Sequence, residues 1–165
     1  MRLLTLICLV LLSSCSQEPE VVTGHILVRD GITYHQDTNE PITGIVEEFY
    51  ENGQLKVRQY YKDGKGDGLH EGFYTNGQLE FRQTYKDGKV DGWWESYHIN
   101  GQVRGSGNEK DGKEDGLLVY YQENGLVFDS RNYKDGELHG LYEQFYENGQ
   151  LDSRQHFKNG EPDGL

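Results

Sequence analysis

Glycine-containing pairs recur along this chain with a fixed step of 24 residues, and that step limits the fold more than any other feature. Asn-Gly falls at Asn52-Gly53, Asn76-Gly77, Asn100-Gly101, Asn124-Gly125 and Asn148-Gly149. A second series runs Asp63-Gly64, Asp87-Gly88, Asp111-Gly112, Asp135-Gly136 and Asn159-Gly160, and single glycines at Gly44, Gly68, Gly92, Gly116, Gly140 and Gly164 keep the same step. A unit of this length is one supersecondary element that cannot bury its own apolar face, so it must stack on its neighbours.

Asn-Gly and Asp-Gly tolerate positive φ, which the tight turns of two-stranded hairpins demand. Each unit therefore reads as strand, turn, strand, turn. Between the turns the residues alternate: Leu79, Phe81 and Tyr85 share one parity and Glu80, Arg82 and Thr84 the other, as in a half-buried antiparallel strand. The expected fold is all-β: tandem 24-residue β-hairpin repeats forming an elongated, twisted antiparallel sheet, solenoid-like and without helix. Five repeats from about 45 to 164 give ten strands, and a hairpin at 25–36, built on Asp30-Gly31 and expected to cap the array, makes twelve. At about 4.8 Å per strand such a sheet runs roughly 55 to 60 Å. The chain stops where a further strand would begin, so the last edge is expected to be open to end-to-end association or strand addition.

Ahead of the repeats, Arg2 precedes an apolar run from Leu3 to Leu12 and then Ser13-Ser14-Cys15. The run is short for a membrane span and has the layout of an export signal. Leu12-Ser13-Ser14-Cys15 resembles the lipobox of bacterial lipoproteins, which implies a signal peptide over 1–14, acylation of Cys15 and a polar tether over 15–23. The alternative is an ordinary secretory signal in which Cys15 is incidental. Cys8 lies within the signal, so the mature chain has one cysteine and no disulfide. Acyl chains attach a protein to a membrane without spanning it. Ser16 after the cysteine lacks the aspartate of an inner-membrane retention signal, which favours the outer membrane of a host that has one. The expected address is the bacterial cell envelope.

The formal charge is −12 and becomes −13 once the leader with Arg2 is removed. Such a surface repels phosphate backbones and disfavours nucleic acid, leaving basic or neutral partners. The same charge also serves solubility, because it keeps an edge-exposing sheet from associating.

The segment Asn39-Glu40-Pro41-Ile42-Thr43-Gly44, followed by FYENGQL, FYTNGQL and repeated YKDGK with a trailing Gly-Leu or Gly-Trp, resembles the bacterial MORN-repeat variant family, which includes lipoproteins labelled as antitoxins of the YwqK type. The resemblance covers 24–165. It implies a binding or scaffolding module, and for the antitoxin-labelled members a protein that neutralises a toxin by direct binding.

Sites for chemistry are few. The KDGKGDG, KDGKVDG and KDGKEDG loops carry aspartates at calcium-loop positions, but Lys65 stands where a carboxylate is needed and Tyr74 where the closing glutamate belongs, so no metal is expected. The six histidines share no spacing that converges on one face. No nucleophile turn, phosphate loop or cofactor motif is present, and the expectation is a protein that is not an enzyme and takes no cofactor. One constellation stands out: Glu47, Glu71, Glu95 and Glu143 hold the same repeat position, broken by Val119, and each precedes by two residues an aromatic, Phe49, Phe73, Tyr97 and Phe145. This is either a ladder of carboxylates and rings that binds an extended basic or sugar-like polymer, or a set of cross-strand pairs with Arg58, Arg82 and Arg154. The central repeats depart from the pattern, with Gly105 and Gly107 inside a strand and Leu126 in place of Gln, which marks a bulge, a close approach or simple decay of the repeat. Two functions are expected from these features: a non-enzymatic, membrane-anchored repeat lipoprotein that binds a protein or polysaccharide, or an antitoxin or immunity protein.

Overall fold

The computed structural model describes residues 20–22 and 25–164, and every element in it is a strand. A two-residue strand β1 (Val21–Val22) is followed by β2 (Ile26–Arg29) and β3 (Ile32–His35). The repeats then contribute β4 (Gly44–Phe49), β5 (Leu55–Lys62), β6 (Lys65–Phe73), β7 (Leu79–Lys86), β8 (Lys89–Tyr97) and β9 (Val103–Lys110). Beyond them come β10 (Lys113–Glu114), β11 (Gly116–Tyr121), β12 (Val127–Lys134), β13 (Glu137–Phe145), β14 (Leu151–Lys158) and β15 (Glu161–Pro162). From β4 to β15 the strands lie in sequence order across one open sheet of 13 strands, with β10 paired to β9.

Two features differ from the sequence expectation. The sheet is mixed, because β1 pairs in parallel with β4 through Val21 opposite Ile45 and Val22 opposite Val46. The hairpin β2–β3 forms a separate two-stranded sheet and does not extend the array. It docks on the Asp63-Gly64 turn, where Thr33 N–H donates to Gly64 O at 2.8 Å and Gly64 N–H to Ile42 O at 2.7 Å. A Cβ on Gly64 would lie 2.4 Å from Ile32 Cγ2, so only glycine lets the hairpin approach this closely. The leader and Cys15 lie outside the described residues.

The two turn series are built differently. At Asp63-Gly64 both residues have positive φ, 50° and 77°, and the four later turns of that series repeat this geometry, as a two-residue type I′ hairpin requires. At Asn52-Gly53 only the glycine does. The asparagine keeps an ordinary backbone and accepts the Gln54 N–H on its side-chain oxygen at 3.0 Å, a local cap repeated at Asn76, Asn100, Asn124 and Asn148. Neighbouring repeats are then laced together: Tyr50 Oη donates to Phe73 O at 2.7 Å and Tyr74 Oη to Tyr97 O at 2.6 Å, with His98 and Gln122 reaching the next repeat in the same way.

Each Asn-Gly turn closes on a bulge, so that Phe73 faces Leu79 while Gly72 faces Phe81 and Glu80 is left unpaired. This extra residue flips the parity: Leu79 and Phe81 lie on opposite faces, and the alternation read through that strand breaks at its start. One face, called here the packed face, carries Val46, Gln59, His70, Gln83 and Trp94 in one register row and Val57, Gly72, Phe81, Ser96 and Gly105 in the next. Gly105 and Gly107 are buried there by close approach: a Cβ would lie 2.7 Å from the Tyr120 ring at the first and 2.7 Å from Leu118 Cδ1 at the second. The substantial strand contacts are all between hydrogen-bonded neighbours, so the sheet is a single layer, and fully buried apolar side chains are confined to Ile42, Ile45, Val46 and Leu118 among the described residues. Stability therefore rests on cross-strand pairs and laced turns more than on a deep core.

On the packed face His70 lies edge-on to Phe81, ring centroids 5.0 Å apart, and 5.6 Å from Tyr85. Burial pushes its imidazole below the ordinary histidine value. Protonation then favours the unfolded chain, so the stability carried by neutral His70 is complete above about pH 6.5 and is lost as the pH falls below it. The His70→Leu variant, which places here the residue found at the equivalent Leu118, is expected to flatten the fall in melting temperature between about pH 7 and pH 5. Parallel curves for the two proteins would remove His70 as its source.

Candidate functional site: the charged face

The opposite face carries the glutamates singled out in the sequence, and register brings them into one row. Glu47 faces Arg58, which faces Glu71, which faces Arg82, which faces Glu95. The row continues through Ser106, Val119 and Ser130 to Glu143 and Arg154. The carboxylates are thus interleaved with guanidinium groups across the strands, the second of the two arrangements expected from the sequence, with Arg58, Arg82 and Arg154 as the partners. Arg58 Nη2 lies 2.7 Å from Glu47, Arg82 Nη2 2.7 Å from Glu95, and Arg154 Nη2 2.6 Å from Glu143. Glu71 stands between Arg58 and Arg82 and adds to the field that holds the Arg82 guanidinium above its ordinary value, a shift led by the hydrogen bond to Glu95.

Glu95 is the most heavily engaged member. Its Oε2 accepts from Arg82 Nε at 2.9 Å, Arg82 Nη2 at 2.7 Å and Tyr97 Oη at 2.6 Å. The Tyr97 hydroxyl, then Arg82 and the Trp93 side chain, hold this carboxyl below the usual range against a smaller opposing effect of burial. Tyr97 is raised in turn, by burial first and by the carboxylate second.

The aromatics placed two residues after the glutamates sit beside the Asn-Gly turns: Phe49 faces Leu55, Phe73 faces Leu79, Tyr97 faces Val103 and Phe145 faces Leu151. Phe49 is 57% exposed and the other three are half-buried. Along the far side of the glutamate row runs a second series at the repeat step, Leu69, Trp93, Leu117 and Leu141, all exposed, with Trp93 the most so at 51%. The sequence showed this series as trailing Gly-Leu and Gly-Trp pairs and showed the break at Val119, but the loss of arginine at Ser106 and Ser130, legible at the same 24-residue step, was missed.

Shallow depressions lie along the sheet. One of about 520 Å³ lies on this face where the charged row is interrupted, against Glu95, Val103, Ser106 and Tyr121. Another of about 310 Å³ lies by β14, against Leu141, Arg154 and Asp163. The aspartates of the KDG loops act as caps: Asp111 N–H donates to Asp91 Oδ2 at 3.2 Å, and Asp87 N–H points at Asp67 Oδ2 at 3.5 Å. No group of three or more histidine, cysteine or acidic side chains arranged to hold a metal occurs among the described residues.

The family profile described as MORN repeat variant matches residues 42–63, 66–87 and 138–159. The matched segments carry the Glu47–Arg58 and Glu143–Arg154 pairs, and the interval between the second and third contains Glu95, Ser106, Val119 and Ser130. No curated protein matches the chain significantly in sequence. Among solved structures, S. aureus TarM in complex with fondaparinux, alpha-GlcNAc-glycerol and UDP is similar at 11% identity with a TM-score of 0.36, over 70% of this chain and 20% of that one. A GtfA/B complex bound to UDP and GlcNAc is similar at 11% identity with a TM-score of 0.27, over 82% of this chain and 24% of that one. The chain therefore spans about a fifth to a quarter of those proteins, and likeness at these scores bears on neither fold nor activity.

Proposed function

We propose that this MORN-repeat protein is a non-enzymatic, lipid-anchored binding module of the bacterial cell envelope, which displays its sheet to an extended protein or polysaccharide partner. The observation that carries the reading is the periodic charged face: rows of like side chains recur every second strand, about 9.5 Å apart, on an open single-layer sheet. A surface of that kind suits a partner that makes many shallow contacts better than a small substrate that must be enclosed and dried. The lipobox-like Leu12-Ser13-Ser14-Cys15 supports the anchor and the address, with the outer membrane favoured in a host that has one.

The experiment is membrane fractionation of the native protein beside a Cys15→Ser variant, with protease accessibility read on both. The native protein is expected in the membrane fraction and the variant released or left uncleaved. Recovery of both from the cytoplasm would overturn the address.

A second reading, an antitoxin or immunity protein of the YwqK type, is supported by the exposed apolar series Leu69, Trp93, Leu117 and Leu141, which suits a protein partner. Capture of a single protein in a stoichiometric complex would favour it.

A further inference from the structure

We propose that the interruption of the charged row is a binding site for a neutral oligosaccharide, with Trp93 as its stacking platform. The inference rests on the binding-module reading and names the site and ligand class.

The interruption is coordinated. Glutamate and arginine alternate across β4 to β8 and again across β13 and β14, but three consecutive cross-strand neighbours lose their charge together, as Ser106, Val119 and Ser130. Long charged side chains are replaced by short neutral ones, and a depression against Glu95, Val103 and Tyr121 reaches the row at the first of them, Ser106. From Glu95 to Glu143 the row crosses four strand spacings, about 19 Å, the reach of a short extended oligomer. The floor is low: Ser106 is 8% exposed, whereas Trp93, on the same strand as Glu95 and two residues away, is 51% exposed.

The wall is pre-organised. Glu95 bonds Tyr97 Oη at 2.6 Å, and Trp93 precedes it by two residues on the same face of the strand. An aromatic side chain has only two rotatable bonds and gives up little conformational entropy when a ligand arrives.

Charge selects the ligand class. An acidic polymer is repelled by a chain of net charge −12. A cationic one finds both bordering carboxylates already matched, Glu95 by Arg82 and Glu143 by Arg154. What remains is an indole face, small hydroxyls and an apolar Val119, which complements a sugar ring with its apolar C–H face and its hydroxyl rim.

The test uses the full chain in a Trp94→Phe background, which leaves Trp93 as the single indole of the two in the sequence. Neutral hexasaccharides derived from chitin, cellulose and amylose are titrated while Trp93 fluorescence and binding heat are read. One series is expected to give a saturable shift. Trp93→Ala, tested by heat in the background with Trp94 retained, is expected to weaken binding at least tenfold. The triple variant Ser106→Arg, Val119→Glu, Ser130→Arg, which restores the alternating row, is expected to keep its melting temperature and lose binding to the same extent. Saturable binding that the triple variant leaves intact would overturn the site. A response to oligolysine but to no hexasaccharide would overturn the ligand class, and silence towards every probe would overturn the proposal. None of these outcomes alters the membrane fractionation, so the module reading stands or falls separately.

Discussion

Arg131→Met is expected to lower the unfolding free energy by about 3–5 kcal/mol, read from denaturant titration at neutral pH. The cause is Asp129, the most deeply buried large side chain described, at 1% exposed on the packed face. Its carboxylate is matched by Arg131 two residues along the same strand, with Nε 2.6 Å from Oδ1 and Nη2 3.1 Å from Oδ2. The guanidinium also lies over the Tyr142 ring, 5.1 Å from its centroid. Asp129, first of all, holds that guanidinium above its ordinary value, so the two side chains act as one unit. Methionine fills the space and leaves the carboxylate desolvated without a counter-charge, which costs far more than the pair contributes. The repeats supply their own control. Positions equivalent to Asp129 and Arg131 hold Val57 and Gln59 in the first repeat, so the double variant Asp129→Val, Arg131→Gln is expected to stay within about 1 kcal/mol of the parent. A double variant as unstable as the single one would show that lost packing, and not an orphaned charge, is responsible.

The same pair shows where the sequence was readable. Asp-Gly turns were legible because two consecutive residues at positive φ leave few residue choices, and Asp63 and Gly64 meet that demand. Asn52-Gly53 looked equivalent and is not, since asparagine has a second way to make a turn, through its side-chain oxygen. The glutamate row was visible by spacing and Arg58, Arg82 and Arg154 were legible as its possible partners, but spacing could not choose between a free ladder and a paired one, because pairing depends on register. Register here is set by bulges at the turn ends, as between Gly72 and Phe73, which step-counting cannot place. Asp129 stands at the position of Val57 and Phe81 and Arg131 at the position of Gln59 and Gln83, a double departure legible at the 24-residue step. The parallel contact of β1 was harder to read: Val21 and Val22 stand one 24-residue step ahead of their partners Ile45 and Val46, but without the flanking turn pairs that mark the strands of the repeats.

Gly72→Val is expected to cost about 2–3 kcal/mol, and the reason lies in a ring on the next strand. Gly72 faces Phe81 in the register, and a Cβ at residue 72 would lie 2.2 Å from Phe81 Cε1 and 2.6 Å from Cζ. Its backbone is not left-handed, in contrast to the turn glycines, so the obstacle is the ring and not φ. Gly105 repeats the arrangement beneath Tyr120, where a Cβ would lie 2.7 Å from Cδ1. In a single-layer sheet an aromatic laid over a cross-strand glycine replaces the missing second layer, shielding backbone hydrogen bonds and burying its own face. Phe81→Ala removes that cover and is expected to destabilise by about 2 kcal/mol, short of a deep-core value because Phe81 is half-buried. In the double variant Gly72→Val, Phe81→Ala, the valine enters space the ring has vacated. Its cost on top of Phe81→Ala is expected to fall below about 0.5 kcal/mol, a coupling of roughly 2 kcal/mol in the double-mutant cycle. Additive costs would mean that the ring swings clear of Gly72 and that the strand, not the aromatic cover, rejects the side chain.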